Sequence, residues 1–89
     1  MVRFLVQTTF TSAEKRMAHR AEHRAYLHQL VAEGKLLMAG PHVDETGGII
    51  IFEAIDENEV REMMDNDPFT INGVFATIDI KPWILVAGS

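Results

Sequence analysis

The chain has 89 residues, 47% of them hydrophobic, no cysteine and a net charge of −5. That length fits one domain with a modest core, and the apolar content argues against disorder. The missing cysteines exclude disulfides and thiolate metal sites, and the acidic balance argues against a nucleic-acid partner.

Residues 2–10 alternate and are rich in Val, Thr and Phe, as a strand does. They hold no long apolar signal core, and no apolar run nears the roughly 20 residues of a membrane helix, so a cytoplasmic location without membrane contact is expected. Thr11 and Glu14 have capping-box spacing, which predicts a helix from there to Gly34. Leu36 to Ala39 reads as a short strand closed by Gly40-Pro41. A polar loop follows, and Gly47-Gly48 is expected to turn into the strand Ile49–Phe52. Asp56 and Glu59 repeat the cap spacing before a second helix whose inner stripe is Val60, Met63 and Met64. Asp67-Pro68, with Gly73 beyond, predicts a single capped turn. Val74 to Lys81 is the last strand.

The order β-α-β-β-α-β is the ferredoxin-like arrangement, an α+β fold expected to form a single domain over residues 1–89. It predicts a four-stranded antiparallel sheet with two helices on one face. The other face would then be bare. Ile49 to Phe52 is apolar on both sides, and Leu5 and Phe75 are expected to add to the bare one. A homodimer through that sheet face would cover it, with Trp83-Ile84-Leu85-Val86 crossing to the partner.

The first helix carries the informative residues. At about 100° per residue, Met17, Leu27, Leu30 and Val31 share an arc, and Arg20 and His23 fall inside it. Polar groups on an apolar stripe need partners. A structural histidine with Arg20 in an ordinary ion pair satisfies that pattern, and so does a cavity with a ligand. Bases lead acids five to three between Ser12 and Lys35, whereas Glu53 to Asp67 holds seven acids and one base. The first helix therefore suits an anionic small ligand, although two solvated faces of opposite sign give the same counts. His19-Arg20-Ala21-Glu22-His23 also reads H-x-x-E-H, a zinc signature, but the chain is too short for the enzymes that use it. Asp67 is either a structural cap or a carboxylate able to orient a histidine. His42 and Asp44 offer a second His–Asp combination on a loop.

Arg20-x-x-His23-x-x-Tyr26-Leu27, Gly34-x-Leu36, Ala39-Gly40-Pro41, Gly47-Gly48, Asp67-Pro68-Phe69, Gly73-Val74-Phe75 and Ile80-x-Pro82-Trp83 together resemble the YciI-like (YCII-related) family, in order and over nearly the whole chain. The resemblance implies a dimeric α+β barrel whose pocket holds a histidine and an aspartate as an acid/base pair. By position these are His23 and Asp67, with Asp44 as a second candidate carboxylate. Related barrels do isomerase, lyase, dehalogenase and cofactor-free oxygenase chemistry. The expected site is thus His23 and Asp67, with Arg20, Asp44 and Phe69 at a small cyclic or anionic ligand. No metal or organic cofactor is implied. A non-catalytic module that binds a metabolite or a protein is the alternative function.

Overall fold

The computed structural model describes residues 1–88. Strand β1 (Val2–Phe10) leads into helix α1 (Ala13–Ala32), then β2 (Leu36–Pro41) and β3 (Gly47–Ala54). Helices α2 (Glu57–Asp65) and α3 (Pro68–Ile71) precede β4 (Phe75–Trp83). The four strands form one antiparallel sheet in the order β2-β3-β1-β4, the ferredoxin-like arrangement.

Alternation along β1 and β3 sets the layers. Phe4 pairs with Phe52 and Val6 with Ile50, and all four are buried under the helices. Leu30 of α1 and Val60, Met63 and Met64 of α2 pack on them, so both helices cover the same face. Leu5 and Ile51 pair on the opposite face and are only half-buried.

Three local features differ from what the sequence predicts. The N-cap of α1 is Ser12, whose extended backbone lets its hydroxyl accept from Lys15 N. Thr11 instead donates its hydroxyl to the Gly73 and Val74 carbonyls, fastening the start of the helix to the entry of β4. Gly47 and Gly48 lie inside β3 and make no turn. A Cβ at Gly47 would collide with the Thr8 carbonyl oxygen, and one at Gly48 would stand 2.7 Å from the Gly40 oxygen, so neighbouring strands approach too closely for a side chain. The turn falls earlier, where Glu45 adopts φ 61° and donates its N–H to the His42 carbonyl. Finally, Phe75 faces the helices. The β1–β4 register shifts between Thr9 and Phe10, which pairs Phe10 with Phe75 and resets the alternation there.

The other helix signals hold. Asp56 accepts from Glu59 N at 2.9 Å, and Gly34 at φ 76° ends α1 with Lys35 N donating back to Leu30 O. The apolar arc of α1 packs less completely than its periodicity predicts. Met17 and Val31 are about half exposed, and Arg20, His23, Leu27 and Val31 of the arc line a cavity.

Candidate functional site

Asp67 is the best-fixed residue of the site. It caps α3, with Oδ1 accepting from Phe69 N at 2.8 Å, and Pro68 presets the first helical dihedral. Its side chain is 1% exposed. The same Oδ1 receives His23 Nδ1 at 2.7 Å, across 44 residues of chain. A carboxylate oxygen can only accept, so the imidazole proton sits on Nδ1 and the neutral ring keeps its lone pair on Nε2. Phe69 fixes the ring plane: its centroid lies 3.7 Å from that of His23, and the planes are 2° apart. Phe75 meets the imidazole edge to face. The histidine is therefore held in tautomer, tilt and position by groups from α3 and β4. Asp67 Oδ2 is buried and lacks a hydrogen-bond partner, leaving half of the carboxylate's acceptor capacity unused.

Tyr26 backs this pair. Its hydroxyl donates to the Met63 carbonyl at 2.7 Å and ties α1 to α2. Burial, reinforced by the negative charges of Asp67, Glu33 and Glu62, pushes the phenol up to about 12.

His23 and Phe69 open on a cavity of about 540 Å³ between α1 and the sheet. The volume is in the range of small-molecule sites. Thr8, Phe10, Phe75 and Ile50 line its sheet side, while the α1 side carries Arg16, Arg20 and Arg24. Sequence spacing picks out Arg20 and passes over Arg16 and Arg24. The signal was present in the four-residue spacing of the three arginines. Arg16 is the buried one: its guanidinium lies 3.3 Å from Glu45 and 4.9 Å from the centre of the Phe10 ring.

Asp44 is elsewhere. It is exposed on the β2–β3 loop, outside the cavity wall. Its Oδ1 accepts from the Thr46 hydroxyl at 2.8 Å and from Thr46 N at 3.1 Å, which holds its carboxyl below the usual value. The H-x-x-E-H segment puts His19 Nδ1 3.8 Å from Glu22, while His23 turns to Asp67. Among the described residues no three His, Asp or Glu side chains converge as a metal site, and no helix is long and apolar enough to cross a membrane.

A YCII-related domain model matches residues 2–84. The chain is 35% identical over 82 residues to Protein YciI of Escherichia coli O6:H1, covering 81% of this chain and 84% of that protein. Its fold also matches a solved structure of 5-chloro-2-hydroxyhydroquinone dehydrochlorinase (TftG) from Burkholderia phenoliruptrix AC1100, in complex with 2,5-dihydroxybenzoquinone. The TM-score is 0.81 at 32% identity, over 92% of this chain and 93% of that one. Rv0793 from Mycobacterium tuberculosis, at 11% identity and TM-score 0.61, covers 100% of this chain and 99% of its own and shares the fold alone. These neighbours fit the dimeric α+β barrel superfamily.

Proposed function

The chain belongs to the YCII-related family, and from that premise we propose that it is a proton-transfer enzyme acting on a small hydroxylated ring. The observation that carries the reading is His23 Nδ1 bonded to the buried Asp67 at 2.7 Å beside a cavity. In this role Nε2 takes a proton from a ring hydroxyl. The O–H electron pair forms a carbonyl, and the imidazolium returns the proton to a ring carbon. Asp67 balances the imidazolium charge while it lasts, and Arg20 holds negative charge on the substrate.

The dehydrochlorinase neighbour supports the leaving-group version of this chemistry. Where the protonated ring carbon bears chlorine, the C–Cl pair departs as chloride while a second hydroxyl gives up its proton. The sum is loss of HCl, with a hydroxyquinone as product, and no external oxidant or reductant enters. The test is anaerobic chloride release from 5-chloro-2-hydroxyhydroquinone by the wild type and by His23→Gln. Release by the wild type and its collapse in the variant support the reading. Tight ring binding without release in either protein would favour a binding module instead.

We also propose a homodimer through the uncovered sheet face. Leu5 and Ile51 are half-buried there, and Trp83, Ile84 and Val86 at the end of β4 and beyond are 37%, 83% and 93% exposed. Sedimentation analysis at micromolar concentration checks it, with Leu5→Lys expected to yield monomers.

A further inference from the structure

The α1 wall of the cavity carries three arginines, Arg16, Arg20 and Arg24, and the cavity lining includes no aspartate or glutamate. Yet the chain as a whole has eight Lys and Arg against thirteen Asp and Glu. The three arginines recur every four residues, so they stack on one side of α1, a spacing at which like charges repel. Nothing on the helix offsets them. Three and four positions from Arg20 stand Met17, His23, Arg16 and Arg24; around Arg24 stand Ala21, Leu27, Arg20 and His28.

Arg16 is committed to Glu45 and the Phe10 ring. Among the described residues, no carboxylate lies within 4.0 Å of Arg20 or Arg24. Arg20, half-buried, and Arg24, exposed, thus both line the cavity without a carboxylate partner, which gives its α1 flank a positive potential.

We propose that Arg20 and Arg24 hold a carboxylate of the substrate, which makes hydroxylated aromatic acids the preferred members of the hydroxylated-ring class. This rests on the proton-transfer reading: the ring lies at His23, and its carboxylate reaches the α1 flank. An arginine fork matches the two carboxylate oxygens with paired hydrogen bonds. Both arginines lie beyond the first turn of α1, so its free N–H groups, which commonly add to phosphate sites, are not beside them. A cavity of about 540 Å³ has room for a ring with a substituent.

Titration calorimetry with 2,5-dihydroxybenzoate, 2,5-dihydroxybenzamide and 4-hydroxyphenyl phosphate tests this on the wild type, Arg24→Gln and His23→Gln. The wild type is expected to bind the acid about tenfold or more tighter than the amide, as charged hydrogen bonds imply. Arg24→Gln, which leaves Arg20 in place, should narrow this preference at least about threefold by weakening the acid more than the amide. His23→Gln should weaken both. Equal affinity for acid and amide, with both dependent on His23, overturns this assignment and leaves the proton-transfer reading standing. Tighter binding of the phosphate ester overturns the carboxylate in favour of a phosphate. A wild type that binds neither ring overturns both readings.

Discussion

Asp67 and His23 share one oxygen atom with a helix terminus. The Oδ1 that receives His23 Nδ1 at 2.7 Å is the one that caps α3 through Phe69 N at 2.8 Å. A cap is a rigid mount, because its side chain is tied to the backbone two residues on. Phe69, which supplies that N–H, also stacks on the imidazole. Three residues in a row, Asp67-Pro68-Phe69, thus fix the histidine of a different helix.

Two variants test the double duty of Asp67. Asp67→Ala removes the cap and leaves His23 Nδ1–H without its partner, and should cost roughly 2–3 kcal/mol. Asp67→Asn keeps an oxygen acceptor for Phe69 N and should cost about 1 kcal/mol less. Urea unfolding of the two variants measures the difference. Equal losses would mean that neither bond to this oxygen contributes.

Tyr26 gives a pH signature. Its phenol is raised from 10.0 to about 12 by burial and then by nearby carboxylates. Between those values the unfolded chain releases the proton and the folded chain keeps it. The native state therefore binds more protons, and stability falls as pH rises through that window. Below pH 10 the contribution is fully present. Tyr26→Phe should cost about 1 kcal/mol at neutral pH for the lost bond to Met63, and should flatten the decline above pH 10. Denaturant midpoints across pH 9–12 for both proteins check it.

The strand glycines are not equivalent. A Cβ at Gly47 runs into the Thr8 carbonyl, whereas one at Gly40 meets nothing within 4 Å. Gly47→Ala should destabilise by roughly 1–3 kcal/mol or more through forced separation of β1 and β3. Gly40→Ala should stay within about 0.5 kcal/mol. Thermal melts of the two variants decide the point.

These cases show why some of the structure was legible in the sequence and some was not. Element order, both α2 cap residues and the Asp67 turn follow from local chemistry, which a sequence displays directly. The pairing of His23 with Asp67 spans 44 residues, and spacing alone left it open; the family resemblance supplied it. The Ser12 cap was hidden by an adjacent hydroxyl of equal aptitude, Thr11, whose hydroxyl bonds to Gly73 and Val74 instead. Phe75 was misplaced because one register shift inverts a strand's alternation, and nothing local marks it. Asp44 had the right residue type but serves its own loop through Thr46.

The central claim is that His23 Nε2 moves a proton between a ring hydroxyl and a ring carbon. Deuterium uptake at the ring carbons of 2-hydroxyhydroquinone, followed anaerobically by proton NMR in heavy water, tests it without needing a leaving group. The wild type should accelerate exchange at least a hundredfold over His23→Gln, in line with general acid–base catalysis of roughly 10²–10⁴. Asp67→Asn should fall between them. Exchange at the same rate with wild type, His23→Gln and buffer alone would contradict the assignment of His23 as the proton carrier.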